Sequence, residues 1–362
     1  MIKPPDYAGG SLVNLIAELE GRLGGTPLAA PLHQPLAAQI PDAPTYVLVL
    51  FDGLGAGQLD HPAATLSGSV AGTIDAVFPT TTTVSLASIS TGLAPSQHGL
   101  LGYQLWMPET GHVVNTIKWT TLWGERIDLD TSTVLPGPNL WERLAAAGRE
   151  PIAVQPGHFA GSPLSQSLYR GCRFEPIFTA EEIVTATVDL ADQPGRLIFT
   201  YVPHVDFAAH VYGQASPEYE ESLRVASRVW EGITRRIPPG AVLLGTADHG
   251  HIDFAETQHA RIPKELEGDR ILYGDSRAMF VRGDEAPGFA ELPASWIPTE
   301  QIVEWWGPEP RHADFADRVP DGVLLADDDA VLLHSHSDRR LIGHHGGLTD
   351  AERQIPLLVA GS

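Results

Sequence analysis

At 362 residues, 43% hydrophobic and 19% charged, the chain is long enough for one large α/β domain or two smaller ones, and its composition excludes wholesale disorder. The 45 acidic against 23 basic residues leave a formal charge of −22, which excludes a nucleic-acid backbone surface and reads as a solvated acidic exterior, partly offset by bound cations. A single cysteine, Cys172, allows no intrachain disulfide, Met1–Gly10 lacks a signal-like apolar core, and no run reaches the ~18 apolar residues that span a bilayer, so a cytoplasmic protein with no membrane partner is expected.

The first predicted element is a helix from Ser11, a candidate N-cap, through Leu12, Leu15, Ile16, Leu19 and Leu23, ended by Gly24-Gly25. A proline-rich connector, roughly Pro27 to Pro44, leads to Tyr46-Val47-Leu48-Val49-Leu50-Phe51, which reads as a buried parallel strand ending in Asp52-Gly53. Helices are expected near Asn139–Ala147, Ala180–Ala191 and Pro217–Arg236, and strands near Pro151–Val154, Arg196–Val202 and Ala241–Ala247. Ile355–Val359 is expected to close the sheet. Alternating strands and helices imply a three-layer α/β/α, doubly wound, mostly parallel sheet with cap insertions. The expected division is an N-terminal helix and connector over 1–44, a catalytic domain over 45–251 and 342–362, and an inserted cap over 252–341. The loop-rich stretch Tyr103–Pro138, with Trp106, Trp119 and Trp123, is a second candidate cap element.

Function-bearing groups in open α/β sheets collect at the carboxyl ends of strands. Asp52 falls there, as do Asp248-His249-Gly250 after the Ala241 strand. Asp206 and His210, four residues apart after the Arg196 strand, share a face if they open a helix. His345 lies in Gly343-His344-His345-Gly346-Gly347, where glycines permit close approach to a ligand. Asp52, Asp206, His210, Asp248, His249 and His345 thus supply six ligands for two divalent ions. Mixed Asp/His ligation suits Zn2+, with Mn2+ as the alternative, and two ions can clamp an in-line displacement at phosphorus. A threonine run, Thr80 to Thr83 after Phe78-Pro79, supplies the hydroxyls.

The set Val49-Leu50-Phe51-Asp52-Gly53, Phe78-Pro79-Thr80-Thr81-Thr82, Ser90 to Gly99, Tyr201 to His210, Thr246 to Gly250 and His345-Gly346 resembles the alkaline phosphatase superfamily, in its nucleotide pyrophosphatase/phosphodiesterase branch, over about residues 45 to 360. The resemblance implies a phosphothreonine intermediate on Thr82, with Thr81 and Thr83 as competing assignments and helix capping as the simpler role for Thr80. It implies one ion on Asp52, Asp248 and His249 with the Thr82 hydroxyl, and a second on Asp206, His210 and His345. Where the family has an asparagine contacting a phosphoryl oxygen, this chain has Tyr103; its hydroxyl can donate the same hydrogen bond, or the ring is a structural aromatic.

Among the other histidines, His204, His251 and His344 are candidate orienting partners of the ligands, and His98 is read as packing or hydrogen-bonding near the nucleophile helix rather than binding metal. His259, His312, His334 and His336 are read as surface residues of the cap, and His158 as a candidate for the substrate groove. A small-molecule phosphoester is the implied partner. Phosphomonoester and phosphonate hydrolysis are alternatives, the latter resting on Lys118, one of three lysines, as a carboxylate binder. A non-catalytic, metal-stabilised binding protein is the alternative of another class.

Overall fold

A strand with no charged side chain along its length persists only where helices cover both sheet faces. In the computed structural model, which describes residues 2–360, Thr45–Phe51 (β1) is fully buried at the centre of a seven-stranded sheet. Met1, Gly361 and Ser362, the outer ends of the first and catalytic segments expected above, lie outside the described residues.

The other sheet strands are Val70–Asp75 (β2), Glu150–Pro156 (β3), Arg173–Ile177 (β4), Arg196–Val202 (β5), Ala241–Thr246 (β6) and Gln354–Ala360 (β7), in the order β2-β7-β6-β1-β5-β3-β4. The pairs β1–β5, β1–β6, β3–β5 and β3–β4 are parallel, while β7 runs antiparallel to both β6 and β2. The sheet is therefore doubly wound and mostly parallel. One expectation needs correction: β7 does not close the sheet, because β2 lies outside it. Residues Val70 to Thr73 are half or fully exposed and include Gly72, so this edge strand has no apolar run to announce it.

Six principal helices cover the sheet: Leu12–Arg22 (α1), Thr82–Thr91 (α2), Leu140–Ala146 (α3), Ala180–Ala191 (α4), His204–Tyr212 (α5) and Pro217–Thr234 (α6). Contacts link α1 to α2 and α2 to α3 in one group, and α4 to α6 and α5 to α6 in another. Leu12, Leu15 and Leu19 of α1 share the hydrophobic core of β1. Buried Glu20 of α1 accepts two 2.7 Å hydrogen bonds from Arg143 of α3, so the N-terminal helix is locked to the layer that carries Thr82.

Both irregular stretches fold into antiparallel sheets. Gln104–Met107, His112–Asn115 and Thr120–Thr121 form one of three strands. Ile271–Asp275, Ala278–Arg282, Gly322–Ala326 and Ala294–Pro298 form one of four, with a small core around Leu272, Met279, Val281 and Leu324. The two meet where Gly274 N–H donates to Gln104 Oε1 at 3.1 Å. Short strands joined by turns and long irregular connections leave these segments too little periodicity to be read from the sequence.

Candidate metal centre

Register places the carboxylates. β1 pairs Leu50 with both Tyr201 of β5 and Thr246 of β6, so Asp52, Asp206 and Asp248 leave the sheet at one end. The backbone tightens this: Asp52 N–H donates to Val202 O at 3.0 Å, and Asp206 N–H donates to Asp52 O at 2.9 Å. Gly53, at φ +74°, is required here, since a Cβ would lie 2.8 Å from Asp206 Cα. Gly250 serves close approach, because a Cβ there would meet the Ala351 carbonyl at 2.0 Å.

The imidazoles are oriented from behind. Nδ1 faces a backbone carbonyl in three cases: His210 to Gly343 O at 2.7 Å, His249 to Gly250 O at 3.2 Å, and His345 to Thr80 O at 2.7 Å. A carbonyl only accepts, so Nδ1 carries the proton and Nε2 keeps its lone pair. These lone pairs converge: His210 Nε2 lies 3.1 Å from His345 Nε2 and 3.3 Å from Asp206 Oδ1. His249 Nε2 lies 3.7 Å from Asp52 Oδ1 and 3.5 Å from Asp248 Oδ2. Asp248 Oδ1 accepts from the Gly53 and His249 amides at 3.0 and 3.1 Å, whereas its Oδ2 is buried without a partner.

Burial, then the charges of Asp206 and Asp248, holds Asp52 well above the ordinary carboxylate range. Burial, then His249 and His210, holds His345 well below the ordinary imidazole value. Crowded carboxylates and lone pairs with no proton to share are the environment a divalent cation relieves, so this donor set fits the metals. Ligand atoms of Asp52, Asp248 and His249 lie within 4.8 Å of one another, as do those of Asp206, His249, His251 and His345.

His251 is the histidine whose place sequence reasoning left to a supporting role, and it stands as near as a ligand. Its Nε2 is 2.7 Å from Asp206 Oδ1, and its Nδ1 has no partner. Burial raises Asp206, yet His210, His251 and His249 outweigh that and keep it well below the ordinary carboxylate range. An ionised carboxylate only accepts, so His251 Nε2 carries a proton and orients Asp206. Tyr201 was read only as part of a motif; its buried hydroxyl hydrogen-bonds Asp52 Oδ2.

The threonines separate by their partners. Thr81, not Thr80, is the N-cap residue of α2, and Thr80 instead donates to Gly347 O at 2.9 Å and accepts from Gly346 N–H at 3.0 Å. The Thr81 hydroxyl donates to Asp275 at 3.2 Å, and the buried Thr83 hydroxyl lies 3.0 Å from that of Thr116. Thr82, the first helical residue, places Oγ1 3.2 Å from His249 Nε2 and 3.5 Å from Asp52 Oδ1. A cavity of about 320 Å³ opens over Thr82, His210 and His345, with Tyr103, Ile117 and Asp275 on its other walls.

Several sequence assignments change. His204 and His158 line a separate apolar depression with Phe159, Phe207 and Tyr212, whose walls include none of the six candidate ligands. His344 bonds Ser276 Oγ at 2.8 Å through Nδ1. His334 is buried, not a surface residue, and lines the cavity. His98 keeps the place expected of it, buried beside α2 with Nε2 3.1 Å from Ser88 Oγ. Lys118 is exposed, and among the described residues no lysine or arginine lines the cavity. Asp275 was not singled out, because nothing in its neighbours ties it to Thr81 across 194 positions.

A family model described as type I phosphodiesterase/nucleotide pyrophosphatase matches residues 46–348. The chain belongs to that family. An uncharacterized pyrophosphatase/phosphodiesterase of Schizosaccharomyces pombe is 26% identical over 187 residues, 48% of this chain and 36% of that protein's length. Murine ectonucleotide pyrophosphatase/phosphodiesterase 5 shares the fold with a TM-score of 0.64 at 20% identity, covering 88% of each chain. Phosphonoacetate hydrolase from Sinorhizobium meliloti 1021, in complex with phosphonoformate, does so at 0.66 and 18%, covering 88% of this chain and 91% of its own. Both neighbours, like the superfamily the motifs resemble, are built on a central mostly parallel sheet.

Proposed function

We propose that this family member is a two-metal phosphodiesterase that acts through a phosphothreonine formed on Thr82. The observation that carries the reading is the convergence of carbonyl-anchored imidazoles and three carboxylates beside a hydroxyl at a helix start. Asp52, Asp248 and His249 would hold one ion and Asp206, His210 and His345 the other, Zn2+ first and Mn2+ second, and bound metals supply charge stabilisation at the phosphoryl and leaving oxygens.

The chain's own residues do the rest. Thr82 Oγ1 attacks phosphorus, forming the Oγ–P bond as the bond to the leaving oxygen breaks and the hydroxyl proton leaves with the departing alcohol; water later cleaves Oγ–P, its oxygen going to phosphorus and one proton back to Oγ1. The first turn of α2 points its free N–H groups at the anion. Tyr103 donates to a non-bridging oxygen from the facing wall. Thr81 and Thr83 are poorer candidates because Asp275 and Thr116 engage their hydroxyls.

A diester suits the cavity better than its rivals. A phosphomonoester brings a second negative charge, and phosphonoacetate a carboxylate, yet the walls offer Asp275 and Asp338 and no lysine or arginine. The inserted segment 252–341 acts as a cap on this reading, since Asp275, His334 and Asp338 come from it. The S. meliloti hydrolase's complexes with phosphonoformate and phosphonoacetate, and the murine protein's with AMP, support a small phosphorus-containing substrate here. Among the described residues no helix is long and apolar enough to cross a membrane; a cytoplasmic setting is part of the proposal, supported by the lone cysteine.

The test compares hydrolysis of bis-p-nitrophenyl phosphate and p-nitrophenyl phosphate by zinc-loaded protein, each beside Thr82→Ala. Preference for the diester, with at least a ~10³-fold loss in the variant, is the expected result. Monoester preference moves the reading to a phosphatase, and turnover of neither with two ions bound moves it to phosphonates or to binding alone.

A further inference from the structure

Tyr103 is held by a side chain that no motif includes. It precedes the strand Gln104–Met107, and Asn115 ends the partner strand, opposite Gln104. Asn115 Nδ2 donates to the Tyr103 hydroxyl at 2.9 Å. The amide cannot be turned around, because Asn115 Oδ1 accepts from the backbone N–H groups of Ile117 and Lys118 at 3.0 and 3.1 Å. The backbone holds the base of the pair together: Thr116 N–H donates to Tyr103 O at 2.9 Å, and the Thr116 hydroxyl donates to the same carbonyl at 2.9 Å.

A phenol hydrogen lies in the ring plane and has two favoured directions. The lone pair toward Asn115 is taken by an incoming N–H, so the hydroxyl's own hydrogen is turned to the other side. Tyr103 lines the cavity over Thr82, and among the described residues no side chain accepts from its hydroxyl. We infer that Asn115 is a positioning residue that sets the Tyr103 hydroxyl as a hydrogen-bond donor to the phosphoryl group. This rests on the proposed role of Tyr103 in phosphoryl transfer and adds the device that orients it. Burial, then the charge of Asp275, raises the Tyr103 pKa, which keeps the phenol protonated and able to donate.

Replacing Asn115 by aspartate preserves the acceptor for the Ile117 and Lys118 amides but removes the N–H. The phenol would then donate backward to the new carboxylate, and its hydrogen would leave the cavity. The experiment is a double-mutant cycle on the metal-loaded full chain, with kcat and KM for bis-p-nitrophenyl phosphate measured for wild type, Tyr103→Phe, Asn115→Asp and the double variant. Each single change is expected to lower kcat/KM on the order of 10- to 100-fold, mostly in kcat, and the double to be no worse than the poorer single.

Full activity of Asn115→Asp beside an impaired Tyr103→Phe overturns the inference and leaves the Tyr103 reading intact. Losses that multiply in the double variant also overturn it. Full activity of Tyr103→Phe removes the role of Tyr103 itself, a distinct failure. If Asn115→Asp does not fold, Asn115→Ser takes its place: its short hydroxyl still serves the local turn but does not reach Tyr103. Coupling to Tyr103→Phe is then read in the same way.

Discussion

Tyr201 shows how much a single hydroxyl can govern here. It belongs to β5, is buried, and meets Asp52 Oδ2 on the side away from Thr82. Burial, followed by the charge of Asp52, raises its pKa well above the phenol value, so it remains a donor. Donors to a ligating carboxylate fix its orientation, and their loss typically costs ~10- to 100-fold in metal affinity. Tyr201→Phe keeps the ring and removes the donor. Zinc affinity should fall by that factor, measured by competition with a chromophoric chelator, and activity should return at excess zinc. Unaltered affinity would count against Tyr201 as an orienting group. Nothing local in Thr200-Tyr201-Val202 marks this role, because it depends on the pairing of Leu50 with Tyr201 across two strands.

At the level of elements, the four-stranded insertion is fastened to the loop that carries His345. Arg277, 1% exposed, lies in the turn between its first two strands and donates to Glu352 Oε1 at 3.2 Å and to Asp327 O at 2.6 Å. Glu352, 0% exposed, also accepts from Gly347 N–H at 2.9 Å and from the Thr349 hydroxyl at 2.7 Å. Arg277→Met strips a buried carboxylate of its counter-charge, and removing one partner of such a pair costs about 3–5 kcal/mol. Urea denaturation should show that loss together with weaker zinc binding through His345; a loss below ~1 kcal/mol would mean the insertion docks by its apolar contacts alone. β1, β5 and β6 were legible because both of their faces are buried, which forces continuous apolar runs. Asp52, Asp206, His210, Asp248, His249 and His345, which the structure brings to one end of the sheet, were legible as candidates because they follow those runs within a few residues or sit among glycines. β2, the two antiparallel sheets and Asp275 were not, since edge strands, short hairpins and contacts across 194 positions leave no periodic trace.

The stability of the whole molecule against pH is a sum of buried groups that pull in opposite directions. His98 is pushed down to about 3, by burial and then by His312. A base whose folded pKa lies below its unfolded value near ~6.5 favours the native state above that value and loses the contribution as pH falls. Asp275 is pushed up to about 7, by burial above all, against the hydrogen bond from Thr81. An acid with a raised folded pKa favours the native state below its unfolded value near ~3.9, and that contribution fades as pH rises to the folded value. Between pH 7.5 and 5.5 these two buried groups act against each other. Single variants separate them in metal-free protein. Relative to wild type, His98→Gln should gain about 1.4 kcal/mol on going from pH 7.5 to 5.5, since it no longer resists protonation. Asp275→Asn should lose about 2 kcal/mol over the same interval, because the wild-type carboxyl regains its proton and the amide has none to regain. Urea midpoints at the two pH values decide it: parallel shifts in both variants would mean that neither group titrates where its burial places it.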